Sequence, residues 1–191
     1  MKKISIISII TTIIYFISVL SFLITKTDFA LTLWEVLTVI GGLVFLVLLV
    51  NLSEKLSCSS CYKRLVGIFM ACAVTLTSVA HIVNITVTRR LISEGVNVPD
   101  YFRIGQWPSV EMCIDYLAWG GFVGLAFLFI GMSIKNKTNN PIKVSSITAG
   151  ILCLVGFIGA LCINENLWYI APIGYGIIPI YICVKTMKIE K

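Results

Sequence analysis

Six long apolar stretches, at about residues 4–25, 33–51, 65–87, 111–134, 144–163 and 167–184, occupy about two thirds of this chain and decide what it can fold into. A hydrocarbon layer of roughly 30 Å needs about 20 apolar residues in an α-helix, and every stretch is near that length. Water is absent there, so each backbone N–H and C=O has to be satisfied within its own helix. The same stretches exclude a transmembrane β-barrel, because residues 4–14 and 42–50 lack the alternation over segments of about 10 residues that barrel strands show. The expected fold is all-α, a polytopic integral membrane protein with six transmembrane helices forming one domain over residues 1–191. Lys2 and Lys3 precede the first stretch as they would a signal peptide, but its apolar core is too long and no small-residue cleavage site comes before Lys26.

Composition and charge fit this reading. At 58% hydrophobic and 13% charged residues, with a mean hydropathy of +0.98, the chain has too little polar surface to cover a soluble core. The connections are too short for a separate catalytic, nucleotide-binding or DNA-binding module. The net charge of +6 is read as a topology signal. With the amino terminus in the cytoplasm, Lys2, Lys3, Lys55, Lys63, Arg64, Lys135, Lys137, Lys143, Lys185, Lys188 and Lys191 fall inside, and only Lys26, Arg89, Arg90 and Arg103 fall outside. Both termini are therefore expected to be cytoplasmic and the protein to sit in the plasma membrane. Basic residues spread this way serve orientation and anionic lipid, so no nucleic-acid partner is expected.

The informative residues are the polar ones inside the spans. A mid-helix aspartate costs about 2.5–3.5 kcal/mol on insertion scales, so such a group asks for a partner or a water-filled cavity. On the third stretch Thr77, His81, Asn84 and Thr88 recur at steps of four, three and four, within about 60° of one another on a helix. On the fourth, Glu111, Asp115, Trp119 and Phe122 share one face, while Gly120 and Gly124 lie opposite as a GxxxG pair suited to close helix contact, with a partner protein or a second copy as candidates. Antiparallel packing of these neighbours places both polar sets in the outer half of the bilayer. Trp34 and Glu35 enter from that side on the second stretch, Trp168 and Tyr169 on the sixth, and the long connection at residues 88–110 adds Trp107.

These positions predict an outward-opening cavity that binds a small-molecule ligand through Glu35, His81, Asn84, Glu111, Asp115, Tyr116 and Trp119, with Arg89 or Arg90 at its rim. Blander readings stand beside it. Trp34, Trp107 and Trp168 also suit interfacial anchoring. Glu35 and Glu111 are near enough to the boundary to reach water, and Asp115 with His81 also suits an interhelical hydrogen bond. If Glu111 and Asp115 share a dry cavity, repulsion and desolvation favour a protonated acid, whereas His81 or an arginine would neutralise the pair.

Of seven cysteines, only Cys58 and Cys61 form a motif. A CxxC pair is also found, with a helical bundle, in membrane thiol oxidoreductases of the disulfide-forming and vitamin K epoxide reductase kinds. Here the pair falls in a connection expected to face the reducing cytoplasm, without a second cysteine pair to match. Two thiols without histidine fall short of a zinc site within one chain, so neither a metal nor another cofactor is expected. Serine-hydrolase, zinc-protease, P-loop and dinucleotide motifs are absent. In span number and length the chain is similar to the substrate-binding subunits of energy-coupling-factor vitamin transporters, although the alanine-containing repeat those carry on their first helix has no counterpart before Ala30. Three functions are left open. The first is binding or transport of a small solute, with a cation favoured by charge and cation–π attraction. The second is a structural or regulatory role without ligand. The third is intramembrane acid–base catalysis on a lipid through His81 with Glu111 or Asp115.

Overall fold

The computed structural model describes residues 1–104, 106 and 108–188; Trp107 and Lys191 lie outside the described residues. Six helices are long and apolar enough to cross a membrane: α1 Lys2–Thr25, α2 Asp28–Lys55, α3 Ser60–Ser93, α4 Val110–Ser133, α5 Lys137–Leu161 and α6 Asn166–Lys188. Among the described residues there is no strand. The helices overrun the apolar stretches at several ends, because polar residues continue a helix once it leaves hydrocarbon. α3 runs on to Ser93 and α2 begins at Asp28, so Lys26 and Thr27 are the whole α1–α2 connection, shorter than expected. Lys26 ends α1 in the left-handed region (φ 52°), and the Thr27 side chain caps α2 by accepting from the Ala30 N–H at 3.3 Å. Ser109 caps α4 in the same way through the Met112 N–H.

Successive helices pack side by side, and α6 returns against α1 to close the ring. An even number of crossings brings the last helix back to the end at which the first begins. The half of the bundle nearest that end has an apolar core: Phe45, Leu48, Leu49 and Leu52 of α2 meet Val66 and Met70 of α3, Phe127 and Ile130 of α4, Ile142 of α5 and Ile182 of α6. The buried polar residues of that half are hydroxyls, among them Ser5, Ser8, Ser53, Ser133, Ser146 and Thr186, whereas the buried ionisable residues Glu35, His81 and Glu111 lie in the other half.

α1 shows how a membrane reverses the usual sidedness. Its buried residues are Ser5, Ser8, Thr12 and Ser18, while Ile10, Ile13, Ile17 and Ile24 face outward, Ile17 at 61% exposure. Lipid tails solvate isoleucine as well as any core does, so small side chains take the inner face, where they permit close approach of the neighbouring helices.

The same logic fixes α4 against α5. A Cβ on Gly120 would stand 2.8 Å from Phe157 Cβ and 3.0 Å from the Cys153 carbonyl, and one on Gly124 would stand 3.0 Å from Cys153 Cβ. This corrects the expectation that Gly120 and Gly124 form a surface for a partner or second copy. The pair is buried, and α5 of the same chain already fills the groove.

Three helices contain one π-helical segment each: Asn84–Thr88 in α3, Leu117–Phe122 in α4 and Ile173–Ile177 in α6. All three lie in the half away from the termini. A π turn accommodates an extra residue and shifts the helical phase of the residues after it, and such segments are frequent at functional sites. In α4, Phe122 stacks on Phe69 of α3, ring centroids 6.1 Å apart, and so faces the same helix as Asp115, which Thr77 of α3 holds.

Candidate functional site: a buried ionic chain behind an aromatic chamber

Helical spacing in α3 puts Thr77, His81, Asn84 and Thr88 on one face, and all four are buried. Two carboxylates flank His81. Glu35 of α2 is fully buried, with Oε1 3.8 Å from His81 Nδ1, and Asp115 of α4 has Oδ1 3.6 Å from His81 Nε2. Thr77 donates to Asp115 Oδ1 at 2.9 Å, and Asn84 Nδ2 donates to Glu35 Oε1 at 2.5 Å. At the far side of Glu35, Arg89 approaches Oε2 at 3.3 Å. Arg89 also donates to Thr32 Oγ1 at 2.6 Å and to the Asp28 carbonyl at 3.0 Å. Arg89, Glu35, His81 and Asp115 thus form one line of ionisable side chains across three helices, the alternation that an expensive buried charge requires.

The two ends of the line face different spaces. Asp115, whose side chain is 22% exposed, opens on a chamber of about 310 Å³ between α1, α2, α4 and α6. Seven of its thirteen lining residues are aromatic: Tyr15 and Phe16 of α1, Trp34 of α2, Tyr116 and Trp119 of α4, and Tyr169 and Tyr175 of α6. Among the described residues, Asp115 is the only carboxylate in that lining, which contains no lysine, arginine or histidine. Both contacts that tie Asp115 to α3 use Oδ1, which leaves Oδ2 uncommitted among the described residues. Trp119 is held from behind by Phe45 and from the side by Tyr175, with ring centroids 5.9 and 5.1 Å away. Tyr116 stacks on Trp168 at 5.7 Å.

The other end of the line reaches a recess of about 530 Å³ lined by Asn84, Arg89, Arg90 and Arg103 with Asp28 and Thr32. Arg90 reaches Glu94 at 2.9 Å and Arg103 reaches Asp100 at 3.5 Å.

The residues expected to line one cavity therefore divide into three groups. Asp115, Tyr116 and Trp119 line the chamber. Glu35, His81 and Asn84 form the buried chain behind it, and Glu35 is closed off from water by Asn84 and Arg89 rather than reaching it. Glu111 joins neither group. It is buried in the first turn of α4, outside the chamber lining, with Oε2 lacking a hydrogen-bond partner among the described residues, so the expected Glu111–Asp115 pair in one cavity is not formed. Of the two arginines placed at the rim, Arg89 belongs to the chain while Arg90 points out to solvent and Glu94.

Helical spacing around the fourth stretch missed Tyr15, Phe16 and Tyr175. A signal existed for Tyr15, because Ser5, Ser8, Thr12 and Tyr15 recur at steps of three, four and three on α1, the same device as the α3 stripe. Nothing comparable marks Tyr175, which lies in the π segment of α6 between Gly174 and Gly176.

The cysteines take no part. Cys58 is buried with Sγ 2.6 Å from Ser133 Oγ, pinning the α2–α3 connection to the end of α4, and Cys61 is exposed; both are free thiols. Among the described residues, no group of three or more histidine, cysteine, aspartate or glutamate side chains is placed to hold a metal ion. No protein-family model matches the chain, and neither a curated protein nor a solved structure matches it.

Proposed function

We propose that this protein binds a small organic cation in the aromatic chamber, with Asp115 as its counter-charge, as a receptor or transport component of the plasma membrane. The observation that carries this reading is a single carboxylate, with one oxygen uncommitted, in a chamber whose other lining residues are aromatic or aliphatic, seven of the thirteen being aromatic. A cation over an aromatic ring gains about 0.5–2 kcal/mol, more when both are dry, and several rings around one ammonium group form the kind of cage that holds quaternary amines. An anion would meet Asp115 and the negative faces of the rings. A neutral apolar molecule would strand the carboxylate.

The distribution of lysine and arginine supports cytoplasmic termini and an outward-facing chamber. Acid–base catalysis on a lipid draws less support. His81 is buried behind Asp115 and absent from the chamber lining, out of reach of a substrate there.

The test is equilibrium binding of benzyltrimethylammonium to the purified full-length protein. Asp115→Asn keeps the side chain's size and an acceptor for Thr77 but removes the charge. Binding by the wild type that weakens by about 1–3 kcal/mol in Asp115→Asn supports the reading, being the loss expected when one partner of a partly buried charge contact goes. Equal affinity in the two proteins, or no binding by the wild type, refutes it.

A further inference from the structure

We infer that cation binding in the chamber is proton-linked through His81, one proton leaving the imidazole as one cation enters. This rests on the cation-binding reading above and adds to it the ion that moves in exchange.

The argument is one of charge and donors. His81 sits between Glu35 of α2 and Asp115 of α4, with a carboxylate oxygen at 3.8 Å from Nδ1 and another at 3.6 Å from Nε2. Among the described residues, neither ring nitrogen has a hydrogen-bond partner, so these two carboxylates are the acceptors nearest to them. A neutral imidazole carries one N–H, so one of the two carboxylates would face a ring lone pair. Imidazolium carries two and satisfies both. With His81 charged, the line Arg89, Glu35, His81, Asp115 alternates plus, minus, plus, minus and balances within itself, while the exposed Asp28 carboxylate stands 3.5 Å from Arg89 at its solvent end. Among the described residues, the other titratable groups near it are Tyr15 of α1, Tyr116 of α4 and Tyr169 and Tyr175 of α6 around the chamber, the buried Glu111 one turn before Asp115, and the exposed Asp28 beside Arg89.

An organic cation against Asp115 adds a positive charge to a balanced, largely buried network. The cheapest compensation is to release a proton from the one imidazolium in that network. The Nδ1–H bond breaks on the Glu35 side, the electron pair stays on nitrogen, and the proton is taken up by the Glu35 carboxylate and leaves to bulk water as the Asn84 and Arg89 side chains, which line the recess, move off Glu35. The ring keeps its Nε2–H toward Asp115, which now faces both that N–H and the incoming ammonium group. The exchange is electroneutral. Cation and proton use opposite ends of the chain, so the entering ligand does not block the leaving proton.

The probe is again benzyltrimethylammonium, because it has no ionisable proton and any proton released comes from the protein. Calorimetric titration of the full-length protein is run in two buffers of different ionisation enthalpy. We expect release of about one proton per cation, and an affinity that rises about tenfold per pH unit while His81 is charged in the free protein, as linkage requires. His81→Gln should bind the cation with affinity independent of pH and release none. His81 is the only histidine in the chain, so imidazole NMR of the wild type gives a readout that does not depend on that variant folding. At fixed pH, saturating cation should convert the ring from imidazolium to the neutral form. Binding without proton release, or an imidazole signal that does not change on saturation, overturns the linkage and leaves the cation site standing. Failure of the wild type to bind the probe at any pH removes the site and the linkage together.

Discussion

Replacing Glu35 by alanine tests whether the buried chain holds the polar half of the bundle together. Glu35 is fully buried and takes a hydrogen bond from Asn84 at 2.5 Å and a contact from Arg89 at 3.3 Å. A buried hydrogen bond to a charged group contributes about 1.5–3 kcal/mol. Arg89 is a fifth exposed and keeps Thr32 and Asp28 as partners, so its share is nearer the roughly 0.2–1 kcal/mol of a solvated pair. Breaking a fully buried pair costs about 3–5 kcal/mol in soluble proteins, while interhelical polar contacts measured inside a membrane protein average ~0.6 and reach ~1.7 kcal/mol. Between these bounds we expect Glu35→Ala to destabilise the fold by about 2–3 kcal/mol. The sharper quantity is the coupling between Glu35→Ala and Asn84→Ala, which should be about 1–2 kcal/mol, because each single variant already loses the shared bond. Reversible unfolding in mixed micelles, with all four members of the cycle, measures it. Additivity within about 0.3–0.5 kcal/mol would mean that the two side chains do not meet, and the ionic chain would lose its central link.

Packing and topology yield two more expected outcomes. Gly120→Val should cost about 1–3 kcal/mol of stability by overpacking, because its Cβ would press on Phe157 and the Cys153 carbonyl, whereas Gly67→Ala, which meets nothing within 4 Å inside a helix, should not lower the unfolding midpoint. In intact cells a membrane-impermeant maleimide should label Cys162, exposed at the end of α5 away from the termini, and should reach the exposed Cys61 only after permeabilisation; the reverse pattern would invert the proposed orientation.

Much of the fold was legible because lipid imposes a simple rule on length and polarity. The six apolar stretches became six helices, and the Thr77, His81, Asn84, Thr88 spacing marked the inward face of α3. The features that escaped did so for physical reasons. The Ser5, Ser8, Thr12 stripe of α1 is made of residues that hide easily among isoleucines, and so the wall that carries Tyr15 went unread. The GxxxG pair was recognised as a contact surface, but the pattern alone does not say whether the contact is made by the same chain. Glu111 and Asp115 lie one turn apart and still point into different environments, since the chamber wall depends on α1 and α6 as much as on α4.

The most direct test of the central claim, that charge rather than grease selects the occupant of the chamber, is a comparison of two ligands of one shape. Benzyltrimethylammonium and its neutral isostere neopentylbenzene differ only in the nitrogen and its charge. Titrated against the wild type, with quenching of Trp34 and Trp119 fluorescence as the signal, the cation should bind at least about tenfold tighter, the minimum that about 1.4 kcal/mol of charge contact would give. Equal affinities, or tighter binding of the hydrocarbon, would contradict the account.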